Sequence, residues 1–124
     1  SVQIIVATYR GVNQIDPWQG ANGNSAAQSA LSNSVSVTTD EIDSWLAGFS
    51  WENAAGTQTA GANTVVRVSQ SSTIWIDSDQ AYDPAGVYSL NVDVTGSSPR
   101  LTTIGICLQP SATPTPSSGF LHFF

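Results

Sequence analysis

The amino-acid sequence predicts an all-β domain: a two-sheet antiparallel β-sandwich of seven or eight strands, jelly-roll or immunoglobulin-like, followed by an extended C-terminal arm. Three observations predict it. Apolar residues recur at every second position in several short runs, the period of a pleated strand. Gly, Pro, Asn, Asp and Ser punctuate the intervals between those runs. No segment carries an apolar stripe at helical spacing. A single sheet would leave one face of the aromatic strands wet, so two sheets packed face to face are expected.

Residues 2–10 are β-branched and apolar, and Gly11 ends the run, so a first strand is expected there. Residues 11–33 read as a long polar connection with Asp16-Pro17-Trp18 and Asn22-Gly23-Asn24, leaving room for a helical turn at residues 26–31. Residues 34–39 alternate, with Val35 and Val37 on one face. Asp40, Glu41 and Asp43 mark a turn. In residues 44–52, Trp45, Ala47, Phe49 and Trp51 share one face and Leu46, Gly48 and Ser50 the other; the aromatic face is expected to build the core.

Residues 53–63 read as a loop. Residues 64–69 and 73–77 are two further strands around Ser71-Ser72. Trp75 alternates with Ile74 and Ile76, so one of those two faces points outward. Residues 77–86 form an acidic loop. Residues 87–95 alternate strictly, with Tyr88, Leu90, Val92 and Val94 facing one way. Gly96-Ser97-Ser98-Pro99 reads as a hairpin-type turn. Residues 100–109 complete the set, Ile104, Ile106 and Leu108 alternating with Thr103, Gly105 and Cys107. The sandwich is assigned to residues 1–109 and the arm to residues 110–124. Pro110, Pro114 and Pro116 favour an extended polyproline-like arm, which ends in the apolar tip Gly119-Phe120-Leu121-His122-Phe123-Phe124.

Composition narrows the function. The 124 residues suit one domain. Only 10% of residues are charged, against a norm of about 25%. There is no Lys; the three cations are Arg10, Arg67 and Arg100, and nine acids leave a net charge of −6. Scattered arginines on an acidic chain cannot neutralise a phosphate backbone or an anionic membrane surface. Nucleic acid and membrane are therefore not expected partners. No run approaches the roughly 18 apolar residues of a membrane span. Cys107 is the only cysteine, so an intrachain disulfide is excluded. The chain opens at Ser1 without a basic leader and contains no Met. A cytoplasmically made product that has lost its initiator Met is expected, with a processed piece of a longer secreted protein as the alternative.

Four stretches carry a family resemblance. The opening run leads into Tyr9-Arg10-Gly11-Val12-Asn13-Gln14 and then Asp16-Pro17; the strand at residues 34–39 leads into Trp45-Leu46-Ala47-Gly48. Thr59-Ala60-Gly61 precedes a strand, and Ala85-Gly86-Val87-Tyr88-Ser89-Leu90 leads to Ile104-Gly105-Ile106-Cys107-Leu108-Gln109-Pro110. Over residues 2–110 the chain resembles jelly-roll or immunoglobulin-like β-sandwich domains of tailed-phage virion proteins and of repeated bacterial surface proteins. The resemblance implies decoration, cement or fibre domains of phage particles, or sugar-binding and adhesive modules. It implies no catalytic residues.

The candidate chemistry is sparse. His122 lies in the arm, a poor place for a preorganised Ser-His-Asp or Cys-His site. Cys107 sits mid-strand and reads as a small buried hydrophobe. Asp40, Glu41, Asp43 and Glu52 cluster at strand ends, where charges serve solubility and edge protection. Asp77, Asp79 and Asp83 are the metal candidates, three carboxylates within seven residues that suit calcium, although Ala81, Pro84 and Ala85 stand where further ligands belong. The loop is slightly similar to that of bacterial calcium-dependent galactose lectins. Trp18, Trp75 and Tyr82 are candidates for stacking on sugar rings, and Trp18 equally for anchoring a protein. Phe120, Leu121, Phe123 and Phe124 would gain by burial against their own domain or a neighbouring chain.

The leading expectation is a non-enzymatic structural assembly protein, a phage decoration, cement or fibre component that binds neighbouring subunits through its loops and arm. It would be a homo-oligomer or a partner of capsid or fibre proteins, located in the virion and made in the host cytoplasm. The alternative is a carbohydrate-binding module or lectin, with calcium as its candidate ion, outside the cell or on its surface. A surface-layer or adhesin repeat is a third reading.

Overall fold

Strand pairing in this chain follows one rule, visible in a computed structural model that describes residues 4–25, 31–53, 56–70, 72–96 and 100–111, with backbone alone at 21–25. The strands are β1 (Trp18–Ser25), β2 (Ser32–Thr39), β3 (Trp45–Glu52), β4 (Gly56–Ala60), β5 (Thr64–Gln70), β6 (Thr73–Ser78), β7 (Gly86–Gly96) and β8 (Leu101–Leu108). All pairings are antiparallel, and β1 pairs with β8, β2 with β7, and β3 with β6. This nested order is that of a long ribbon rolled up on itself, the connectivity of a jelly roll. The result is a five-stranded sheet, β1-β8-β3-β6-β5, facing a three-stranded sheet, β2-β7-β4. An immunoglobulin-like order, built largely from sequential neighbours, does not describe it.

Three expectations are corrected. Residues 4–9 lie outside every strand despite their β-branched composition, whereas the polar connection contains β1, held in register by the ladder of β8. The expected loop at residues 53–63 contains β4, which pairs with β7. The connection after Gly96 joins strands of opposite sheets, so it is not a hairpin turn. Residues 97–99 and 26–30 lie outside the described residues.

Between the sheets, Val35, Val37, Leu90 and Val92 of the smaller sheet meet Leu46, Ile74, Ile76 and Cys107 of the larger. The strict alternation of β2 and β7 thus resolves as expected, and Cys107 is fully buried. Gly48 and Gly105 are opposed across β3 and β8. The missing side chain at Gly105 lets Val35, Val37 and Leu90 approach the sheet closely, and at Gly48 it leaves room for the Ile104 backbone of β8. A buried polar chain crosses the same interior, Asn33 Nδ2 donating to Thr103 Oγ1 (3.0 Å) and Thr103 Oγ1 to Ser50 Oγ (3.2 Å).

Candidate functional site

The inner face of β3 is Leu46, Gly48, Ser50 and Glu52, all buried, which turns its aromatic residues outward. The expectation that Trp45, Phe49 and Trp51 build the core is therefore overturned. Small residues are needed inside because side chains of the opposing sheet pack against Gly105, and a side chain at Gly48 would meet the backbone of β8 at Ile104. Outside, opposed residues share a face. Trp18 and Trp45 both oppose Leu108, and Phe49 opposes Ile104 and Trp75. Trp51 opposes Thr73 and Thr102, and Val68 opposes Trp75. All four tryptophans of the chain thus stand on the outer face of the five-stranded sheet. Trp51 is 42% exposed and Trp18 55%, with Ile104 and Val68 also exposed.

Residues 4–12 lie over part of this face. Tyr9 is their anchor: its hydroxyl accepts from Trp75 Nε1 (2.7 Å) and donates to Asp77 Oδ1 (2.5 Å). The other carboxylate oxygen of Asp77 accepts from Arg67 Nε at 2.9 Å. Arg67 is the extra residue where the register of β5 against β6 shifts between Val66 and Val68. A bulge of this kind re-aims a side chain, here across the sheet to Asp77. Burial, and then the hydrogen bond to Asp77, push the Tyr9 hydroxyl far above the usual tyrosine value, so it stays protonated. Downstream, Ser111 N–H donates to Gly11 O (2.6 Å) and Asn13 N–H to Gln109 O (3.0 Å), fixing where the covering segment turns back. Gly11 adopts φ +73°, which glycine alone reaches freely.

Two hollows result. A cleft of about 550 Å³ is lined by Tyr9, Arg10, Asp43, Trp45, Arg67, Trp75 and Asp77, with Gln109 and Pro110 at one end. Asp43, on its rim, holds φ +60° in the turn before β3. A second hollow of about 370 Å³ is lined by Ile5, Phe49, Trp51, Thr73 and Trp75.

The other candidates fall elsewhere. Asp77 is not in an acidic loop but in β6, 4% exposed, with both oxygens taken by Tyr9 and Arg67. Asp79 and Asp83 are exposed, and no group of three or more His, Cys, Asp or Glu among the described residues is placed to hold a metal ion. The expected calcium site at Asp77, Asp79 and Asp83 thus finds no assembled ligand group among the described residues. Tyr82 is buried and stacked on Tyr88, centroids 3.9 Å apart, so it offers no platform for a sugar. Of the sugar-stacking candidates, Trp18 and Trp75 do lie on the outer face. Asp40, Glu41 and Asp43 are exposed while Glu52 points into the sandwich. Phe120, Leu121, His122, Phe123 and Phe124 lie outside the described residues.

Sequence reasoning missed Tyr9, Arg67 and the outward role of Trp45 and Trp51. One signal was present: Trp75 and Asp77 share a face of β6, and a face carrying a carboxylate is seldom core. No known family, curated protein or solved structure matches this chain.

Proposed function

We propose that the chain is a non-catalytic assembly module, a virion decoration, cement or fibre component, that associates with further copies of itself through the outer face of its five-stranded sheet. The observation that carries this reading is the placement of all four tryptophans on that face instead of in the core. An antiparallel sheet with one solvated face is ordinarily polar on that side. Here Phe49, Trp51, Val68, Trp75 and Ile104 occupy it, and an exposed apolar patch marks an interaction surface.

Charge supports a second copy as the partner. The chain carries a net charge of −6, which opposes self-association over most of its surface. The rows of Ile104, Phe49, Trp75 and Val68 and of Thr102, Trp51, Thr73 and Gln70 contain no charged residue. Scale is compatible as well. Five strands and eight residues along β8 span roughly 20 by 25 Å. That is about 500 Å² in all, part of it covered by residues 4–12, so the open remainder has the scale of a small, concentration-dependent interface below the roughly 800 Å² per partner of a standard one.

Sedimentation velocity over a range of concentrations tests the reading. A dimer or larger closed oligomer is expected, its population rising with concentration. A monomer at every concentration contradicts it.

A further inference from the structure

Beyond self-association, we propose that the cleft beneath residues 6–12 binds a neutral oligosaccharide. Its volume of about 550 Å³ falls within the roughly 300–1,000 Å³ of small-molecule sites. It occupies the end of the outer face near Trp45 and Asp77; Val68 and Trp75 border both the cleft and the uncharged rows, whereas Arg67 and Asp43 belong to the cleft alone and Trp51 and Ile104 to the rows alone.

The lining suits a sugar in three respects. The indoles of Trp45 and Trp75 supply apolar faces for the C–H faces of pyranose rings. Trp75 has its ring N–H held by Tyr9, so its plane is set before a ligand arrives. Arg67 spends only Nε on Asp77, and its side chain is 49% exposed at the cleft. The remaining guanidinium N–H groups form a planar fork that matches a pair of adjacent hydroxyls.

Charge selects the ligand class. Arg10 and Arg67 are balanced by Asp43 and Asp77 in the same lining, so the cleft is neutral overall. A phosphate or polyanion would need an excess of cations, and a cationic ligand an excess of carboxylates; with Asp77 engaged by Tyr9 and Arg67, Asp43 is the open acid of the lining, and Arg10 offsets it. An uncharged polyol, with both donors and acceptors, satisfies Arg67 and Asp43 together.

Titrations of the tryptophan fluorescence with cellohexaose, laminarihexaose, xylohexaose, mannohexaose and maltohexaose test the proposal. At least one is expected to give a saturable change at millimolar concentrations. For that sugar, Arg67→Ala and Asp43→Asn are each expected to weaken binding about tenfold. Asp43→Asn tolerates the left-handed turn and so separates lost binding from lost folding. Absence of saturation with all five sugars overturns the proposal. So does binding that both variants leave unchanged, because the site would then lie elsewhere. Neither result bears on sedimentation, which reports the assembly reading separately.

Discussion

Gly48 and Gly105 oppose each other across β3 and β8 on the face that meets the smaller sheet, and a side chain fits at neither without displacement. A Cβ at Gly48 would lie 2.1 Å from the Ile104 carbonyl oxygen, a backbone atom. At Gly105 the nearest atoms are methyl groups of Val37, Val35 and Leu90 at 3.0 to 3.3 Å, which can shift. Gly48→Ala is therefore expected to cost about 3 kcal/mol and Gly105→Ala about 1 kcal/mol, read as urea midpoints. Equal midpoints for the two variants would contradict this close packing.

The Tyr9 hydroxyl links Trp75 to Asp77, and its removal leaves a buried carboxylate oxygen and an indole N–H each short of a partner. Tyr9→Phe is expected to lower stability by about 1–2 kcal/mol. It should also speed amide exchange in residues 4–12, measured by hydrogen–deuterium exchange, while β2 and β7 stay protected. Unchanged exchange in that segment would show that Tyr9 is not its anchor.

Glu52 is 1% exposed, and its Oε2 has no hydrogen-bond partner among the described residues. Burial pushes its carboxyl above the ordinary glutamate value. The folded state then holds this proton more tightly than the unfolded one. Its contribution is full below the unfolded value of roughly 4.3 and is lost as pH rises through the folded value. Glu52→Gln is thus expected to be more stable than the parent by about 1 kcal/mol at neutral pH, with the difference closing in acid. Urea midpoints of both proteins across that window check the sign, and a variant no more stable at pH 7 contradicts it.

Cys107 is fully buried against the opposing sheet, and burial raises its thiol pKa. Thiolate is the reactive form. Ellman's reagent is expected to leave the native protein unmodified and to label one thiol once guanidinium chloride unfolds it. Rapid labelling of the native chain would contradict the assigned interior.

Much of the sandwich was legible in the sequence because β2 and β7 alternate small polar residues with Val, Leu and Tyr, a pattern that only a half-buried strand needs. β3 was legible as a strand but not in its orientation. Trp45, Phe49 and Trp51 lie on one side and Leu46 on the other, and side-chain size alone favours the wrong side. The small interior residues Gly48 and Ser50 make sense only when their β8 neighbours are known, the Ile104 backbone beside Gly48 and the Thr103 hydroxyl on Ser50, contacts no local pattern records. β1 was illegible for a related reason: Trp-Gln-Gly-Ala-Asn-Gly-Asn-Ser has poor strand propensity and is held as an edge strand by β8. Conversely, Ile4, Ile5 and Val6 have high propensity but join no ladder, because Tyr9 fastens their segment across the sheet. The Tyr9, Asp77 and Arg67 cluster joins positions 68 and 10 residues apart, with a bulge to aim Arg67, and none of that is written in local sequence.

Sedimentation velocity of a Trp51→Ser, Ile104→Ser double variant beside the parent protein tests most directly whether the outer face is the assembly surface. Both residues are exposed, so the variant is expected to keep the far-ultraviolet circular dichroism of the parent. The parent is expected to associate with rising concentration, and the variant to remain a monomer over the same range. A variant that associates as the parent does, or a parent that is monomeric throughout, would contradict the assignment of that face.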